Sequence, residues 1–297
     1  MTRTPDFLDG YLRRLGVADL GADVSVPGVD ALFALQRAHL ERIAYENIDI
    51  QLGRPPGIDP ELSVRRFAAG RGGYCFHLNG AFALLLESLG YDVTRHVGAV
   101  SSDAASREVR GDHLVLTVRV GGGEYWVDAG LGDMGPHDPL PLRAGTYEQN
   151  GFTYSLERLD PLEGEGPGWS FFPSAGGARR MNFRDAPATT ADFEAMHTWL
   201  STDEESPFVR VFAVFRRDAG GADCLRGRVL SRLEHGKQAH ERVLSGPEEL
   251  LTVLGGLFEL DLDDLTPADR AVLWARVERD HEEWLAQRRA DGEPARD

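Results

Sequence analysis

The chain has 297 residues, 42% hydrophobic and 27% charged, with a formal net charge of −16. Its length predicts two or three lobes around well-buried cores, and its charge argues against nucleic acid or an anionic membrane as a partner. No run approaches the roughly 18 apolar residues that span a bilayer, Met1 to Asp6 lack a signal-peptide core, and two cysteines cannot make a disulfide framework, so a cytoplasmic protein with free thiols is expected.

Residues 1–90 read mainly as helices. Phe7-Leu8, Tyr11-Leu12 and Leu15 recur at helical spacing before Gly16, and Leu32, Leu35, His39, Leu40 and Ile43 repeat the pattern. Glu61 to Ala69 predicts a further helix ending at Gly70, and Phe76 to Leu89 a strongly apolar one stopped by Gly90. From residue 91 the period changes to that of strands, with candidates at Tyr91–Val100, His113–Val120, Glu124–Ala129, Phe152–Leu159 and Pro207–Phe215. Gly121-Gly122-Gly123 joins two β-rich runs and predicts a hairpin. The last stretch returns to helix, opened by Ser245-Gly246-Pro247 and by Thr266-Pro267, both with capping chemistry.

Chemistry concentrates on three residues. Cys75 follows Arg71-Gly72-Gly73-Tyr74 and opens an apolar helix, where free N–H groups and the positive end of the helix dipole favour a thiolate. The glycines allow a tight turn that brings backbone donors near the sulfur. A lone cysteine is more commonly a small buried hydrophobe. His113 and Asp128 stand on the two arms of the hairpin. With a two-residue turn, Asp128 pairs with Val115, and His113 becomes its diagonal neighbour on the same face, about 7 Å away. A three-residue turn would place the two on opposite faces. An imidazole to hold the thiol proton and a carboxylate to steer the imidazole are what a thiol nucleophile needs. Cys224 has no partner in sequence, and His39, His96, His197, His235, His240 and His281 lack metal-ligand spacing, so no metal is expected.

Arg71-Gly72-Gly73-Tyr74-Cys75-Phe76 with Asn79-Gly80 resembles the active-cysteine signature of the arylamine N-acetyltransferases. Ile43 to Ile50 resembles an upstream segment of that family, with Ala44 for the usual proline and Tyr45 for the usual phenylalanine. His113-Leu114, Val127 to Gly132, and Ser201-Thr202 with Ser206-Pro207-Phe208 match further segments, so the resemblance runs from about residue 7 to beyond 215.

The resemblance implies an α+β fold in three parts with a cysteine-protease-like triad. These would be a helical domain at 1–90 carrying the nucleophile, a β-barrel at 91–200 carrying His113 and Asp128, and an α/β lid at 201–297. It also implies acyl transfer from acetyl-CoA to an aromatic amine, hydrazine or N-hydroxyarylamine by a ping-pong route. Cys75, His113 and Asp128 would be catalytic, and acetyl-CoA a co-substrate rather than a resident cofactor. Gly130 and Gly132 are candidate cofactor contacts, because a Gly-containing loop can form an anion-binding nest; an ordinary turn after the strand is the alternative.

His77 stands where that family has an acidic residue that could pair with Arg71. Either it alters the support beneath the active-site helix or it is a harmless helix-surface residue. Asp203-Glu204-Glu205 is either a solvated loop or a bias toward neutral or cationic acceptors. Rival activities on the same triad are an amide synthase releasing a polyketide chain and a papain- or transglutaminase-like hydrolase; a non-catalytic binding protein is a further alternative.

Overall fold

The structure is a computed structural model that describes residues 5–290 apart from 163, 178 and 238. The first third holds α1 (Asp9–Arg14), α2 (Val29–Arg42), a two-residue strand β1 (Tyr45–Glu46), α3 (Ile48–Gln51), α4 (Pro60–Ala68) and α5 (Cys75–Ser88). Asp59 caps α4 by accepting from the Leu62 N–H, with Pro60 at the first helical position. Helix α5 is buried almost all round, as an apolar sequence without a polar stripe requires. Leu78, Phe82, Leu85 and Leu86 join one core with Leu35, Phe67, Leu114 and Leu116.

Next come β2 (Asp92–Ser101), β3 (His113–Val120), β4 (Gly123–Val127), β5 (Leu140–Pro141), β6 (Gly145–Gln149), β7 (Phe152–Leu159), β8 (Gly168–Pro173) and β9 (Arg180–Pro187). They form one sheet in the order β5-β4-β3-β2-β9-β8-β7-β6, antiparallel at each pairing. The two edge strands, β5 and β6, follow each other in the chain across a link that spans at most about 14 Å. The edges therefore lie close, and the eight strands roll into a nearly closed barrel. Trp126, Tyr154, Phe171 and Phe183 fill its interior. Strand β3 is buried on both faces, with Val115 in the barrel core and Leu114, Leu116 and Val118 against the helices.

The chain continues through α6 (Glu194–Thr202), α7 (Pro207–Arg210), β10 (Ala213–Asp218), β11 (Gly221–Arg226), β12 (Val229–Glu234), β13 (His240–Val243), α8 (Pro247–Gly256) and α9 (Pro267–Ala290). A second sheet runs β1-β10-β11-β12-β13, so Tyr45 and Glu46 from the first third pair with Phe215 and Val214. Its core mixes Ala44 and Ile48 with Phe212, Leu254, Phe258 and Leu273.

The segment from Pro207, expected as strand, begins as helix: the Ser206 hydroxyl accepts from the Phe208 N–H, and the strand starts only at Ala213. Strands β1, β5, β6, β8, β9 and β11 to β13, and helices α3 and α6, are not among the elements expected from the sequence. Gly220 and Gly227, which resemble loop signals, lie in the tight connections between β10, β11 and β12. No described helix is long and apolar enough to cross a membrane.

Candidate active site

The hairpin register decides whether the three chemical residues meet. Val120 pairs with Gly123 across Gly121 and Gly122, both at positive φ (59° and 77°), the geometry a tight two-residue turn requires. Leu116 pairs with Val127, which puts Asp128 one step on, opposite Val115, and His113 on the same face. His113 Nε2 lies 2.7 Å from Asp128 Oδ2, both side chains buried.

Cys75 occupies the first turn of α5, with its Sγ 3.5 Å from the Asp112 carbonyl oxygen. Burial opposes the charged form of His113, yet the charge and hydrogen bond of Asp128, together with the Cys75 side chain, hold it up to about 10. The Asp128 carboxylate thus favours the charged form of the His113 ring, which stands beside the Cys75 side chain.

Asp128 is held in turn. Its Oδ1 accepts from Asn79 Nδ2 at 2.9 Å and from the Gly130 N–H at 2.8 Å. Asn79 sits one helical turn after Cys75, on the same face of α5, and its Oδ1 takes the Ala129 N–H. Gln36 Oε1 accepts the Asp128 N–H. Neither role is predicted by the sequence pattern. An amide in an apolar helix four residues after the cysteine was the available signal for Asn79; Gln36 had none.

Gly130 packs directly on Cys75. A side-chain carbon there would stand 2.7 Å from Cys75 Cα, too close for any residue but glycine. Its N–H is committed to Asp128; Gly130 and Gly132 both line the cleft, Gly132 at φ 60°. Gly72 likewise answers to a close approach rather than the turn expected, since a carbon there would meet the Ala44 oxygen at 2.0 Å.

The upstream segment braces this arrangement. Asn47 Nδ2 donates to the Phe208 and Val211 carbonyls, and its Oδ1 accepts the Ala213 N–H. Phe208 then reaches Tyr74, the residue before Cys75, with ring centroids 4.9 Å apart. Arg71 is paired with Glu46, Asp49 and Asp264.

That network replaces the acidic partner anticipated at His77. His77 is buried, not a helix-surface residue, and its Nδ1 accepts the Tyr74 N–H, supporting the start of α5. Burial, with Arg66 nearby, drives it down to about 3. It is neutral in the folded protein but binds a proton near 6.5 when unfolded, so stability is lost as pH falls from about 6.5 toward 3. His77→Gln, which can keep the cap without titrating, is expected to flatten urea-unfolding stability against pH by up to about 1.4 kcal/mol per pH unit across that window. An unchanged slope would contradict the assignment.

Cys75 and His113 open into a cleft of about 450 Å³, walled by Tyr45, Phe208 and Phe215 and by Gly130 to Met134, with Arg110 and Arg226 also lining it. The volume suits a drug-sized molecule. Asp203 carries the Glu205 N–H on its carboxylate, and Glu205 pairs with Arg210; none of this acidic loop lines the cleft. Cys224 lies buried among Phe215 and Ala222, its thiol pushed up to about 12 by burial. No group of three or more metal-ligating side chains is placed to hold a metal among the described residues.

The sequence model of an N-acetyltransferase family matches residues 28–266. The arylamine N-acetyltransferase of Mycolicibacterium smegmatis is 31% identical over 276 residues, covering 88% of this chain and 94% of that protein. Proansamycin X synthase of Amycolatopsis mediterranei (strain S699) is 31% identical over 157 residues, 50% of this chain and 57% of the relative. The solved structure of the Mycobacterium marinum arylamine N-acetyltransferase in complex with CoA superposes at a TM-score of 0.79, with 27% identity over 92% of this chain and 98% of that one.

Proposed function

The chain belongs to the arylamine N-acetyltransferase family, and on that premise we propose that it moves an acetyl group from acetyl-CoA to an arylamine, hydrazine or N-hydroxyarylamine nitrogen through a thioester on Cys75. The observation that carries this reading is the buried His113–Asp128 pair at 2.7 Å beside Cys75 at the base of the cleft.

In the first half-reaction, the Cys75 sulfur, as thiolate beside the His113 imidazolium, attacks the thioester carbonyl. Coenzyme A leaves and takes the His113 proton, so the imidazole becomes neutral. In the second, the amine attacks the acyl-cysteine, the neutral His113 accepts its proton, and Cys75 leaves as thiolate. Asp128 keeps the ring aligned and stabilises its charged form throughout. The Cys75 N–H, at the first position of α5 where no carbonyl of the helix can accept it, is an oxyanion donor. Gly130 and Gly132, both lining the cleft, form the loop against which the acyl donor lies.

The three stretches take the parts set out above: a helical domain at 1–90 with the nucleophile, a barrel at 91–200 with histidine and aspartate, and an α/β lid at 201–297. Strand β1 is the exception to a simple division, since it pairs with β10. A cytoplasmic location accords with two free thiols.

The relative named as a proansamycin synthase keeps a second reading open, in which the same thiol accepts a bulky acyl chain for amide formation. Initial rates with acetyl-CoA and a simple aniline varied together are expected to give parallel double-reciprocal lines and acetylated amine. Absence of turnover, with Cys75 acylated by a larger thioester, would favour the amide synthase. Peptide hydrolysis would favour the hydrolase.

A further inference from the structure

We propose that the Tyr45 hydroxyl is a catalytic hydrogen-bond donor to the carbonyl oxygen of the acyl group on Cys75, a second oxyanion donor beside the Cys75 N–H. The inference rests on the acyl-cysteine reading above and adds a residue to it.

Tyr45 is fixed from two sides. Its backbone pairs with Phe215 of β10, and it bridges to Gly73, whose carbonyl accepts the Glu46 N–H at 2.9 Å. The strand carrying Tyr45 is therefore locked to the segment two residues before the nucleophile. The ring is packed at 5.3 Å from Phe215 and 6.3 Å from Phe208, centroid to centroid, and lines the same cleft as Cys75 and His113. Among the described residues its hydroxyl has no hydrogen-bond partner, and it is not sealed from the cleft. A phenol clamped by aromatic neighbours, with its donor left free in a reaction cleft, is preorganised for a ligand oxygen. Burial, reinforced by the negative charge of Cys75, keeps the phenol protonated well past its ordinary range, so the donor persists at any working pH.

The step needs no further reactant. Thiolate attack forms the Cys75 sulfur–carbon bond and sends the carbonyl π pair onto oxygen, where the Tyr45 O–H and the Cys75 N–H meet it. The carbonyl re-forms as the sulfur–carbon bond to coenzyme A breaks, and the Tyr45 proton stays on its own oxygen.

Tyr45→Phe removes the hydroxyl and keeps the ring contacts. Acylation by acetyl-CoA and deacylation by an aniline, each followed in single turnover, are expected to slow by about 10- to 100-fold, with the KM for acetyl-CoA little changed. In the isolated acyl-enzyme made with carbonyl-labelled acetyl-CoA, the infrared carbonyl band is expected to move to higher frequency in the variant, because a hydrogen bond to that oxygen has gone. Rates within twofold of the parent overturn the proposal, as do slowed rates with an unmoved band, which mark a packing effect only. A parent enzyme that forms no adduct on Cys75 overturns the acyl-cysteine reading itself, and this proposal with it.

Discussion

Asp128→Asn is expected to lower kcat/KM by about 10³- to 10⁴-fold without unfolding the protein, a loss of the size seen when a triad carboxylate becomes an amide. Three donors converge on the carboxylate: His113 Nε2 on Oδ2, and Asn79 Nδ2 and the Gly130 N–H on Oδ1. An asparagine satisfies the last two only by keeping its oxygen at the Oδ1 position, which turns its NH₂ toward His113. The imidazole must then accept at Nε2, and the wrong tautomer faces Cys75. The charge that lifts His113 against its own burial is lost as well, so the ring falls from about 10 into neutrality at working pH. The pH–rate profile is expected to move with it. Retention of more than a tenth of parental activity would contradict the role given to Asp128.

Cys75→Ala is expected to reduce turnover by about 10⁴-fold or more, with no rescue by the other thiol. Cys224 is enclosed by Phe215 and Ala222, its proton retained to about 12, and its Sγ directed at the Ala222 carbonyl 3.7 Å away. Iodoacetamide at neutral pH is therefore expected to label the parent enzyme once, at Cys75, and to leave Cys75→Ala unlabelled over the same time. Double labelling, or residual turnover above that limit, would place a second nucleophile in the reaction.

Much of this site was legible in the sequence because its determinants are local. The apolar run after Cys75, closed by Gly90, marks α5 on its own. The Gly121-Gly122 turn fixes a register that carries His113 and Asp128 to one face, with the choice between two- and three-residue turns left open by the sequence, and the approach of Cys75 to them was implied only by the family resemblance. The braces were illegible because they are set by tertiary contact. Glu46 and Asp49 meet Arg71 only after α3 and α4 pack, Gln36 reaches Asp128 from another helix, and Phe208 finds Tyr74 across more than a hundred residues. The exposure expected as one possibility for His77 failed for the same reason: α5 is buried on the face where a polar side chain had suggested solvent. Strands β11 and β12 were hidden because charged residues interrupt their apolar pattern and are paired only across the sheet, as Arg232 of β12 is with Asp218 of β10 and Asp223 of β11.

One thiol carrying the acyl group is the claim on which the rest depends, and intact mass after brief exposure to acetyl-CoA without acceptor tests it most directly. The expected result is a gain of about 42 Da, one acetyl group, that maps to Cys75 and disappears on adding an arylamine. No mass gain, or an acetyl group that maps to Cys224 or to a lysine and survives the amine, would contradict it.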